Sequence, residues 1–104
     1  MNLNVPNKID ELIDYQKDAV VSKTLIKNDK GSITVFAFDK DQGLSEHTAP
    51  FDALVQILDG KADILLGGET NVLEQDEMII MPANIPHALK AIEKFKMMLV
   101  MIKE

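Results

Sequence analysis

Two histidines, His47 and His87, are the residues of this 104-residue chain best suited to bind a ligand or do chemistry. Imidazole titrates near neutrality, coordinates borderline metals through either nitrogen, and both donates and accepts hydrogen bonds. His47 stands in "GLSEHTAPFDALVQILDG", Gly43 to Gly60, where a polar opening gives way to an apolar run that halts at Asp59-Gly60. His87 follows the break "PANIP" and opens "HALKAI". Other chemistries lack their residues. There is no cysteine, which excludes disulfides, zinc-thiolate sites and thiol nucleophiles. Ser22, Ser32 and Ser45 lie in no nucleophile-elbow pattern, and no glycine-rich phosphate loop occurs. The acidic pairs Asp10-Glu11 and Asp76-Glu77 read as helix-surface and turn residues rather than an acid/base pair. A lone histidine on an apolar strand is commonly a core residue bonded to a carbonyl or water, so function here requires the two to converge.

The elements that must position them are mostly short strands. "KIDELIDYQK", residues 8–17, puts Ile9, Leu12 and Ile13 at helical spacing behind Pro6-Asn7 and predicts the one helix. From Ala19 onward, runs rich in Val, Ile, Leu and Phe alternate with turn signals. These are "AVVSKTLI", "SITVFAF", "ALVQIL", "ADILL", "TNVLE", "EMIIM", "HALKAI" and "FKMMLVMI". Asp59-Gly60 and Gly67-Gly68 read as tight hairpin turns, since glycine takes positive φ without steric cost. Some eight or nine strands with turns every eight to twelve residues predict a sandwich or barrel. "EMIIM" and "FKMMLVMI" are apolar on both faces, so each is expected to be covered on both sides: by the barrel interior, and by the N-terminal helix or a dimer interface. The domain division is an N-terminal helical segment, 1–18, and a barrel, 19–104.

Composition narrows the partners. The chain holds one modest core, of the size that often gains further stability from dimerisation, and a homodimer is expected. Seventeen acidic and eleven basic residues give a net charge of -6, and the basic ones form no stripe that could follow a phosphate backbone. Nucleic acid and an anionic membrane surface are not expected partners. No apolar run approaches membrane-spanning length and nothing near Met1 has signal-peptide texture, so a cytoplasmic location is expected.

With strands in hand, the histidines fit a pattern. The chain resembles the cupin superfamily of small jelly-roll β-barrels, RmlC-like in fold. Its first motif is G, five residues, H-x-H, three or four residues, E, six residues, G. Its second is G, five residues, P-x-G, two residues, H, three residues, N. Gly60 fits the last glycine of the first motif and His47 its first histidine, with Ala49 and Ala53 in the places of the second histidine and the glutamate. In the second motif Pro82 and His87 match, Asp76 and Asn84 take the glycine places, and Ala91 that of the asparagine. Between the motifs lie the 15 residues Lys61 to Gln75, a spacing shared by the family's shortest members. The resemblance runs from about Lys30 to the C-terminus, and "PANIPHAL" is its most specific piece.

The resemblance implies a divalent metal (Zn, Fe, Mn or Ni) held by three histidines and a glutamate inside the barrel; here only His47 and His87 of those four ligands are present. Catalytic zinc sites normally keep three protein ligands, and Asp52 and Glu46, one residue off the ligand positions, face the wrong way on a regular strand. Strand parity groups His47, Ala49, Phe51, Ala53, Val55 and Ile57 on one face. Opposite them stand His87 and Leu89, giving a ligand pocket of His47, Phe51, His87 and Leu89, with space at the two alanines. Six methionines suggest an adaptable interior. Three functions stay open: a barrel that binds a small molecule with or without a metal; a metal-dependent dioxygenase, isomerase or decarboxylase; and a dimeric interaction module with a plugged interior.

Overall fold

The computed structural model describes residues 2–103. Seven antiparallel strands account for most of it: β1 (Val20–Asn28), β2 (Gly31–Phe38), β3 (Gly43–His47), β4 (Asp52–Leu66), β5 (Glu69–Glu74), β6 (Met78–Met81) and β7 (His87–Ile102). They form one sheet in the order β1-β2-β7-β4-β5, with β3 also on β7 and β6 also on β4. The expected all-β, cupin-like jelly-roll barrel is therefore present.

Its spine is the pairing of β4 with β7, from Asp52 opposite Ile102 to Leu66 opposite His87. The register shifts between Ile57 and Asp59 and again between Gly60 and Ala62. Such bulges bend and twist a ribbon. The first half of β4 can then lie between β6 and β7, and its second half between β5 and β7. This corrects two expectations. Asp59-Gly60 is a bulge inside one 15-residue strand rather than a hairpin, and "HALKAI" and "FKMMLVMI" are one 16-residue strand. A positive-φ glycine serves a bulge as well as a turn, so the local signal is the same. Gly67 and Gly68, with φ of 57° and 84°, do make the hairpin between β4 and β5.

The N-terminal helix is also corrected. Only Ile9–Glu11 is helical, as a single 3-10 turn, and Lys8 before it supplies no side-chain cap. Backbone carbonyls there find other donors. The Lys96 ammonium donates to the Asp10 carbonyl and the Lys23 ammonium to that of Leu12. The segment is held instead by its apolar side chains. Leu12 and Ile13 are buried against Val35, Ala37 and Leu58 on the outside of the sheet. Inside, Phe38 and Phe95 stack at 4.5 Å between centroids, among Val55, Ile57, Ile64 and Met97. The middles of β2 and β4 are thus covered on both faces, whereas the two strands expected to be covered on both sides, β6 and the end of β7, leave Met78, Ile80 and Ile102 about half open or more.

Tyr15, the only tyrosine, pins this segment to the barrel by donating its hydroxyl hydrogen to Asp59 Oδ2. Burial first, then the hydrogen bond to Asp59, then that carboxylate's charge hold the phenol above its ordinary pKa. The folded protein therefore keeps a proton that the unfolded chain gives up above about pH 10, so this contribution to stability is intact below that pH and declines as pH rises past it. Tyr15→Phe is expected to cost about 1 kcal/mol at neutral pH and to flatten that alkaline decline. Denaturant unfolding at several pH values, beside a tyrosinate absorbance titration, checks both.

Candidate functional site

His87 opens β7, and His47 closes β3 directly across from it. Leu44 pairs with Leu89 and His47 with His87, so three steps on β3 span two on β7. On a regular strand, residues three apart face opposite sides. The bulge instead turns both Leu44 and His47 to the face that carries Leu89 and His87. Leu89 is buried and Leu44 packs on the same interior cluster, so the imidazole pair sits at the mouth of the barrel with packed side chains behind it. His87 is 7% exposed, whereas His47 opens to solvent.

The ring centroids are 4.4 Å apart, inclined at 69°, and the two Nε2 atoms approach to 3.1 Å. The other nitrogens decide what that approach means. His47 Nδ1 lies 2.7 Å from the Ser45 carbonyl oxygen and His87 Nδ1 lies 3.1 Å from that of Ile85. A carbonyl only accepts, so each Nδ1 carries the hydrogen and donates it. In two neutral rings both Nε2 atoms then present lone pairs to each other. That contact is repulsive unless a cation, either a proton or a metal ion, lies between them. Zn–N distances are about 2.0–2.1 Å, so one ion can reach two nitrogens at this separation. The pair therefore offers two imidazole donors that a borderline divalent ion could share, short of the three protein ligands such sites normally keep, with each tautomer fixed by a backbone carbonyl.

The rest of the family's ligand set is absent in kind and in place. Among the described residues no three His, Asp or Glu side chains gather as a metal site. Asp52 is committed elsewhere: its Oδ1 accepts the Ala83 amide at 2.9 Å. Glu46 is exposed beside His47. Ala49 gives only its carbonyl, to the Asn84 amide at 2.8 Å. Ala53 is a buried core residue paired with Met81 on one side and Met101 on the other, and these long side chains pack into the cluster around it. Of the predicted pocket, His47, His87 and Leu89 come together. Phe51 is half-buried by the C-terminal end of β7, with the Lys103 ammonium 5.1 Å from its ring centre. Four surface depressions of about 170 to 430 Å³ have neither histidine in their lining.

One regularity escaped the sequence reading. Asp76 and Asn84 stand where the second motif has glycines, and Asp41 stands six residues before His47, at the first motif's leading glycine. All three are left-handed, with φ of 70°, 66° and 70°. Asn and Asp are the side chains that tolerate this region best. All three positions thus take the backbone conformation that glycine adopts without steric cost, and the Asn84 turn leads into His87.

Similar proteins agree with this frame. The family profile described as "Cupin domain" matches residues 34–103. A conserved protein of unknown function from Streptococcus pyogenes is 39% identical, with a TM-score of 0.91, over 100% of this chain and 90% of its own. A cupin superfamily protein from Desulfitobacterium hafniense is 26% identical with a TM-score of 0.94, over 100% of this chain and 95% of that one. A Cupin 2 conserved barrel domain protein from Leptotrichia buccalis is 38% identical with a TM-score of 0.88; the match takes in 91% of this chain but only 46% of that one. No curated protein matches. With its barrel, its motif turns and its family match in agreement, the chain belongs to the cupin domain family.

Proposed function

We propose that this protein binds a divalent metal ion between His47 and His87, and through the ion a small molecule with oxygen donors, at the mouth of the barrel. The observation that carries the reading is the pair of Nε2 atoms 3.1 Å apart, both of whose rings donate Nδ1–H to backbone carbonyls. A bound ion would act as a Lewis acid on a coordinated ligand oxygen. His87, fixed by Ile85 and largely buried, is the orienting ligand. His47, at the solvent edge, is the one an incoming molecule meets. Because Asp52, Ala49 and Ala53 contribute no donor, the remaining coordination positions fall to the ligand and to water. That favours binding of a chelating small molecule over catalysis that needs a complete protein sphere.

The test uses protein purified without an affinity tag, titrated calorimetrically with Zn²⁺ and with Mn²⁺. One equivalent per chain is expected. Stoichiometric binding that persists in a His47→Ala, His87→Ala double variant, or no binding by the wild type at millimolar metal, overturns the reading.

A further inference from the structure

We infer that the protein carries a second ligand site, a shallow seat between Asp63 and Lys90 that takes a free aliphatic α-amino acid. Strand alternation builds it. Ile64 on β4 and Leu89 on β7 are buried in the core, so Asp63, Leu65, Ala88 and Lys90 beside them face outward. In register, Asp63 stands opposite Lys90 and Leu65 opposite Ala88, while Thr70 of β5 pairs with Leu65 from the other side. These residues line a depression of about 220 Å³. His87 shares the inward face with Leu89, so the seat lies on the opposite side of the sheet from the imidazole pair.

Asp63 is the unusual member. Its Oδ1 is shut away from solvent without a hydrogen-bond partner, a state that buried polar atoms rarely keep. Such a carboxylate gains from a cationic donor brought to it. Lys90 stands directly opposite, yet the one ion pair among the described residues joins Lys61 to Glu74. A carboxylate and an ammonium thus face one depression without neutralising each other.

That arrangement selects a zwitterion. Side chains directly opposed across two antiparallel strands start about 5 Å apart. The two poles of an α-amino acid hang from one carbon, so its ammonium can meet Asp63 while its carboxylate meets Lys90. A simple cation or anion satisfies only one of the two. Next to the charged pair, Leu65 and Ala88 offer an apolar floor on which an aliphatic side chain can lie, and Thr70 closes the edge. The volume falls below the roughly 300–1,000 Å³ of pockets for drug-sized ligands, which suits a molecule this small.

The test is an NMR titration of the ¹⁵N-labelled protein with L-leucine, with metal removed by a chelator. Amide resonances of Asp63 to Leu65 and Ala88 to Lys90 are expected to shift, saturating in the millimolar range that a shallow seat supports. 4-Methylpentanoate lacks the ammonium and 3-methylbutylamine lacks the carboxylate; each should bind about tenfold more weakly or worse, having lost one charge-assisted pair. Asp63→Asn and Lys90→Gln should weaken leucine binding by a similar factor. Lys90 is exposed, so its replacement does not put the fold at risk. The His47→Ala, His87→Ala double variant should bind leucine as the wild type does. Resonances that stay unmoved at tens of millimolar leucine overturn the inference. So does unchanged affinity in Lys90→Gln or Asp63→Asn, an amine that binds as tightly as leucine, or loss of binding in the double histidine variant.

Discussion

Gly60→Ala is expected to destabilise the protein by about 3–5 kcal/mol, through left-handed strain of about 1–2 kcal/mol and a steric clash. Gly60 has φ of +79°, and a methyl group there would lie 1.9 Å from the Lys94 carbonyl oxygen and 2.9 Å from Phe95 Cα. Those are backbone atoms of β7 that cannot swing aside, so β4 and β7 must separate where the barrel bends. Phe95, stacked on Phe38 at the centre of the core, follows Lys94 directly and would move with it. Gly68→Ala separates the two causes. Its φ is +84° but nothing lies within 4 Å of the added carbon, so only the strain remains and the cost is about 1 kcal/mol. Since each kcal/mol moves the midpoint of a domain this size by about 4–8 °C, Gly60→Ala should melt at least 12 °C lower, and Gly68→Ala only a few degrees lower. Equal losses in the two variants would show that the approach of β7 is not what requires a glycine at position 60.

The contrast between these glycines also explains what could be read from the sequence. Apolar runs, turn residues and the motif spacing carried the barrel, because core-facing alternation and positive-φ residues are local properties. What failed was continuity. Asp59-Gly60 carries the same chemistry whether the chain reverses or merely bulges, and only the partner strand, 35 residues away at Phe95, decides. The N-terminal segment failed for a similar reason: Ile9, Leu12 and Ile13 have helical spacing, yet Leu12 and Ile13 bury together against Leu58 and Val35, and lysines from β1 and β7 take the Leu12 and Asp10 carbonyls. Tertiary contacts outweighed a propensity worth tenths of a kcal/mol per residue. At the site, spacing brought His47 and His87 forward, but parity alone could not have paired them, because the bulge in β3 restores the face that counting from Leu44 would have lost. Nor could it show that Asp41, Asp76 and Asn84, at the motifs' glycine places, are left-handed, since that is a statement about φ.

Removing either imidazole is expected to lower metal affinity about a hundredfold or more, beyond the 10–100-fold that loss of an outer partner typically costs. The two substitutions should differ in their cost to the fold. His47→Ala removes an exposed ring and leaves His87 bonded to Ile85, so stability without metal should change little or even rise, as the facing lone pairs are relieved. His87→Ala empties a site that is 7% exposed against Leu89 and should cost about 1–2 kcal/mol in addition. A gain is the sharper test of geometry. Ala49 occupies the place of the family's second histidine, half-buried on a segment whose carbonyl is fixed by the Asn84 amide. Ala49→His should therefore supply a third nitrogen and tighten Zn²⁺ binding at least tenfold, because three protein ligands are what a stable open zinc site normally keeps. The effect must vanish when His47 and His87 are also replaced. Unchanged affinity in Ala49→His, with the fold intact, would mean that position 49 looks away from the pair, and that the irregular stretch between β3 and β4 has lost the coordinating geometry along with its residues.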